Sequence, residues 1–331
     1  MKLSKVKIPV AVLALALSAT SFVALADTPS SKGSSEQSKQ QSDKGPEVRL
    51  GKPAFTINSD ADQNNYDNQD GGISGVTVAG SRVFEARVAN NGATRTTSSS
   101  QNLIKHTGSP MATTNIYPIF WGTSFGTNYK ATVVAYLSTL ASSTNNLNKV
   151  TTQYMVGGTV PNVAVVSSTT FTDISAAPTS APTTASILAE AYKVVKAANS
   201  NATMDPNGLY MVFTNNFPSS ANYCAWHGAG SVSGSKIFQV AYQPFLATFK
   251  GCPALTSTGG YAYTTDGVAA VANVASHEYY EAITDPLLNA WYDSTGAEIG
   301  DKCAWTHGVA LIGTYYVQTE WSNKVTGCAV S

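Results

Sequence analysis

From about residue 101 onward, short apolar runs alternate with stretches in which apolar residues recur at helical spacing. Residues 116–121 are apolar and aromatic and are predicted to form a buried strand. Residues 163–166, 209–213 and 237–242 carry the same signal. Residues 129–141 are predicted to be a helix. So is Thr184–Ala198, where Ile187, Leu188, Ala191, Val194 and Val195 share one face and Pro178 and Pro182 break the chain ahead of it. The longest apolar pattern is predicted to be a helix starting near Asp266, a good N-cap, and ending before Pro286. Its stripe is Val268, Val271, Ala272, Ala275, Tyr279, Ala282 and Ile283, and the opposite side begins with Ala270 and Val274. A helix apolar on both sides is a buried central helix. These elements predict an α/β fold: a single zincin-like domain with a mixed sheet, a buried central helix and a disulfide-bonded C-terminal part.

The first hundred residues read differently. Residues 1–26 have a basic start (Lys2, Lys5, Lys7), an apolar run and a small-residue cleavage site at Ala24 and Ala26, which is the pattern of a secretory signal peptide. Residues 27–50 hold Ser, Gln, Lys and Glu with almost no large apolar residue and are predicted to be a disordered linker. Residues 51–100 are a polar N-terminal extension or pro-segment, with strand-like alternation over residues 73–88. The folded domain is placed at residues 101–331.

Removing the signal leaves 17 Lys and Arg against 20 Asp and Glu, and only 12% of the whole chain is charged. No basic cluster stands out, so nucleic acid is not an expected partner. No segment after the signal is apolar enough to span a bilayer, and a secreted, extracellular monomer is expected. Four cysteines follow the signal: Cys224, Cys252, Cys303 and Cys328. An even count in an exported chain favours two disulfides. Three connectivities are possible, and Cys224–Cys252 with Cys303–Cys328 is preferred.

The chemistry concentrates at the end of the central helix, in HEYYEAITDP. His277 and Glu281 are four apart and share a helical face opposite the apolar stripe, where one metal ion could bind both. Glu278 then stands beside the metal as general base, the role of the glutamate in zinc peptidases. The pattern departs from HExxH by having glutamate at the second ligand position. A plain His277–Glu281 hydrogen bond across one turn is the competing interpretation. Burying both residues is costly unless they are paired or bound to metal. Asp285, eight residues from His277, is about 12 Å along the helix and too far to join them. A third ligand is expected from the returning segment NAWYDSTGAEIGDKCAW, with Glu298 first and Asp301 second. His227, in YCAWHGAG, is read as a neutral ligand or a transition-state donor, and is grouped with Glu278 as catalytic. His307 ranks lower, and His106 is expected to be exposed. Zinc is the expected cofactor. Asp285, Asp293, Glu298 and Asp301 also allow calcium in the loop. Trp226, Trp291, Trp305 and Trp321 are expected mainly to fill core. No GxSxG elbow, phosphate loop or distinctive carboxylate pair is present.

Several segments in order resemble one known family: NIYPIFWGTSFGTNYKATVVAYLSTL, then YCAWHG, then the helix ending in TDP, then NAWYD and a late cysteine. Together they resemble the phosphate-induced protein 1, or Exordium-like, family over residues 115–328. The family is known mainly from secreted plant cell-wall proteins linked to growth responses. The resemblance implies secretion and a shared fold. Two functions are therefore expected: a secreted zinc peptidase-like protein acting on a peptide or protein through its HExxE helix, or a non-catalytic secreted binding, cell-wall or signalling protein.

Overall fold

The computed structural model describes residues 73–85, 101–168 and 171–331, with side chains from 73–82 in the first of these. The signal peptide, the linker and most of the N-terminal extension lie outside the described residues. The main sheet is mixed and, among the described residues, has seven strands. In chain order these are β1 (Val76–Glu85), β2 (Thr113–Trp121), β3 (Asn162–Val165), β4 (Thr172–Asp173), β5 (Gly208–Thr214), β6 (Tyr223–Val232) and β7 (Phe238–Gln243). The spatial order is β1-β6-β7-β5-β2-β3, with β4 also pairing β2. β2, β3, β4, β5 and β7 run parallel, whereas β6 lies antiparallel to both β1 and β7.

All seven residues of β5 are buried, as a central strand covered on both faces requires. Successive side chains alternate between two cores. Leu209, Met211 and Phe213 face one core with α1 (Tyr129–Leu140) and α3 (Gly267–Thr284), while Tyr210 and Val212 face the other with α2 (Thr184–Ala198). The four predicted strands and three predicted helices all form, each within two or three residues of its expected ends.

α3 is the buried central helix. Sixteen of its eighteen residues are buried. It begins where expected, with the Asp266 carboxylate accepting from the N–H groups of Val268 and Ala269, a cap worth about 1 kcal/mol. It ends at Asp285, whose backbone has left helical geometry ahead of Pro286. Several of its buried polar groups are met by neighbouring elements. Tyr136 donates to Ala272 O at 2.7 Å, and Gln318 N donates to Asn273 Oδ1 at 2.6 Å. The second contact ties α3 to the C-terminal hairpins, β8 (Ala310–Ile312) with β9 (Tyr315–Val317) and β10 (Glu320–Ser322) with β11 (Gly327–Ala329). Trp305 and Trp321 lie in the core around α3 and Trp226 in the core around α2, so these aromatics are packing residues.

Both disulfides have the preferred pairing, Cys224–Cys252 and Cys303–Cys328. They are compatible with an exported protein. Among the described residues, no helix is long and apolar enough to cross a membrane.

Two features differ from the sequence reading. β1 comes from the stretch read as an extension or pro-segment, yet it is an integral strand of the main sheet. His106 is half-buried rather than exposed, because its ring stacks on Tyr292 at 3.6 Å.

On the far face, Glu190 of α2, Asp173 of β4 and Lys193 form a small ionic cluster. Burial and then the neighbouring Asp173 push the Glu190 carboxyl up to about 7, while hydrogen bonds from Lys193 and Ser175, outweighing burial, hold Asp173 well below the usual range. Between the ordinary glutamate value and about 7, folded Glu190 keeps a proton that the unfolded chain has lost, so its contribution to stability falls as pH rises through that window. Asp173 acts oppositely, and its contribution is lost in acid. Tm should therefore fall from about pH 5 to about pH 8 more in the parent than in Glu190→Gln, which mimics the protonated acid. Equal falls in thermal melts of the two proteins would show that Glu190 keeps no such proton.

Candidate metal centre

The site lies between the C-terminal half of α3 and the strands that cover it. β6 alternates, so Trp226 faces α2 and His227 turns toward α3. β1 pairs with β6 in a register that sets Arg82 opposite His227. The chain after α3 returns through a turn at residues 293–301 and brings Glu298 and Asp301 over the helix.

Two groups of ligand atoms converge there. In the first, His277 Nε2 lies 3.0 Å from Glu281 Oε1 and 3.9 Å from Asp301 Oδ1. In the second, His227 Nδ1 lies 3.0 Å from Glu278 Oε2 and 3.6 Å from Glu281 Oε2. Glu281 belongs to both, one oxygen in each. These are the two groups of three or more such side chains among the described residues.

The expected ligands separate accordingly. His277, Glu281 and Asp301 come together. Glu298, ranked ahead of Asp301, faces elsewhere: its Oε2 is 3.0 Å from Arg82 Nε and its Oε1 is 3.7 Å from His227 Nε2. Asp285 lies beside Arg82 at 4.0 Å and accepts from Ala290 N–H at 2.5 Å. Asp293 is paired with Lys302 at 2.8 Å and accepts from Thr295 and Ala297 N–H. The four acids named for calcium thus do not converge: Asp285 and Glu298 share Arg82, Asp293 pairs with Lys302, and Asp301 turns to His277. His307 is exposed, and its Nδ1 lies 3.0 Å from Gly259 O.

Hydrogen bonds and close packing fix these side chains. The backbone N–H of Asp301 donates to Glu281 Oε1 at 2.9 Å. Gln318 donates to Gly300 O at 2.8 Å, fixing the backbone that passes His277. Gly300 passes so close that a β-carbon there would sit 2.5 Å from His277 Nδ1 and 3.0 Å from Glu281 Oε1. Glycine is the residue that lets this loop close over the helix.

Electrostatically the pocket is unusual. His227, His277, Glu278, Asp285, Glu298 and Glu320 have no solvent exposure and Glu281 has 1%, whereas the Asp301 side chain is 28% exposed. Burial drives His227 well below the ordinary histidine value, and the charges of Arg82 and His277 add to this. Burial also lowers His277, but Glu281 and Asp301 outweigh it and leave it raised. Burial pushes Glu281, Asp285, Glu298 and Glu320 upward, the last two strongly. Neither carboxyl oxygen of Glu320 has a hydrogen-bond partner among the described residues.

Arg82 and Glu320 escaped the sequence reading. Both sit in segments without a motif, and their roles follow from strand pairing across the chain. Compared with known protein families, curated proteins and solved structures, the chain matches none of them.

Proposed function

We propose that this chain is a secreted, metal-dependent hydrolase of the zincin-like kind, acting on a peptide or protein, and a member of the Exordium-like family. The observation that carries the reading is the convergence of His277 Nε2, Glu281 Oε1 and Asp301 Oδ1 at the buried end of α3. Two atoms bound to one ion at about 2.1 Å, at angles between about 90° and 135°, stand roughly 3.0–3.9 Å apart. The separations from His277 Nε2 span that interval. One imidazole with two carboxylates suits zinc, with a harder ion such as manganese next.

A bound ion would polarise the scissile carbonyl and acidify a water. The rest is the work of the chain's own residues. Glu278 accepts the proton at Oε1, with its Oε2 turned to His227. Asp301 N–H holds Glu281, and Gln318 holds the Gly300 backbone packed against His277. The partly exposed Asp301 side chain marks the outlet toward solvent.

A second reading is favoured by the near-complete burial of the cluster: an ion that holds together a non-catalytic secreted protein binding a cell-wall component. The test is metal content, together with hydrolysis of a mixed peptide library, for the purified secreted chain and for His277→Ala. The hydrolase reading expects bound ion and cleavage in the parent, with both lost in the variant, activity by at least about 100-fold. Bound ion without cleavage would leave the binding protein. A parent that carries no ion, takes up no zinc and cleaves nothing would sink the metal reading altogether.

A further inference from the structure

We infer that the pocket holds two cations rather than one, the second bound by His227 Nδ1, Glu278 Oε2 and Glu281 Oε2, with Glu281 bridging the pair through its two carboxylate oxygens. The inference rests on the first site being a metal site, since the two share Glu281.

Two observations carry it. The first is geometric. His227 Nδ1 stands 3.0 Å from Glu278 Oε2 and 3.6 Å from Glu281 Oε2, again the spacing of atoms around one ion at about 2.1 Å. The Glu281 oxygens divide, Oε1 toward His277 and Oε2 toward His227. A carboxylate turned this way spans ions roughly 3.5–4 Å apart, the usual separation in two-metal hydrolytic sites.

The second observation is the far side of His227. Its Nε2 is fully buried, has no hydrogen-bond partner among the described residues, and looks at Glu298 Oε1 from 3.7 Å. Glu298 is in turn held by Arg82 at 3.0 Å. An imidazole with one nitrogen on a metal and the other turned to a carboxylate is the usual way a ligating histidine is oriented.

In this arrangement Glu278 binds through Oε2 and keeps Oε1 for the proton, so the hydrolytic reading is deepened rather than replaced. The donor set favours two zinc or two manganese ions.

The experiment uses the full secreted chain, stripped with chelator, reloaded with zinc sulfate or with manganese chloride, desalted, and measured for metal per chain. The parent should hold about two ions. His227→Ala and Glu278→Gln should each fall to about one, Asp301→Ala to about one, and Glu281→Ala to none. The manganese-loaded parent should give an exchange-coupled paramagnetic resonance spectrum, and His227→Ala should return the six-line signal of an isolated ion. The parent measurements stand even where a variant fails to fold. A parent with one ion that His227→Ala and Glu278→Gln both retain would overturn the second site and leave the first. Two ions without magnetic coupling would overturn the bridge. A parent that binds neither metal would overturn both sites.

Discussion

Arg82→Ala should destabilise the fold by about 3–5 kcal/mol, the range for stripping one partner from a buried ion pair. Arg82 is only 8% exposed, and its guanidinium meets three partners at once. Nε stands 3.0 Å from Glu298, a terminal nitrogen stands 4.0 Å from Asp285, and the other donates to Gly296 O at 2.5 Å. Truncation leaves two fully buried carboxyl groups facing each other without their cation. It also detaches the edge strand β1 from the turn that carries Glu298 and Asp301. Urea unfolding at neutral pH, read as the free energy extrapolated to water, measures the loss. A change under about 1 kcal/mol would show that the carboxyl groups are already protonated in the folded state, and that Arg82 only fills space.

On the hydrolase reading proposed above, Glu278→Gln should lower the rate of peptide hydrolysis by about 100- to 10,000-fold, the usual cost of removing a general base. The substitution keeps size and shape, so the α3 backbone and the packing beside His227 should persist. The His277–Glu281–Asp301 ion should stay bound. What disappears is the group that takes the proton at Oε1, and with it the proposed second ion; metal content measured beside the rate tells a lost base from a lost ion. Rates at saturating peptide, with melting temperature measured in parallel, separate this from a folding defect. A variant that retains more than about a tenth of parental activity would remove Glu278 from the chemistry.

Much of this architecture was legible because it depends on local signals. The N-cap at Asp266 and the stop at Pro286 bound α3 without reference to the rest of the chain. Apolar runs bounded by turns reveal β2 and β5, and short sequence separation favours the two disulfides that form. The site was only half legible. His277, Glu278 and Glu281 share one helix and declare themselves by spacing. Arg82 reaches them only because β1 pairs with β6 in one particular register, and nothing near Arg82 in the sequence specifies that pairing. β6 itself was obscured by the alanine and glycine in YCAWHGAG, which dilute the alternation that would mark a strand. Glu298 and Asp301 lie three residues apart in one turn, and which of them reaches His277 depends on how the backbone passes at Gly300. Glu320 looks like an ordinary polar residue near a hairpin until the hairpin closes against α3.

The near-complete burial of the cluster also sets a clock. With His277, Glu281 and His227 at 0–1% exposure, an ion held by them would enter or leave chiefly when the structure opens locally. Exchange is then governed by the opening rate and not by the concentration of chelator outside. Dilute scavengers should strip the folded chain slowly and the unfolded chain at once. Under the metal reading proposed above, the ion in purified protein would be a record of what was available where the chain folded, kept for as long as opening is slow.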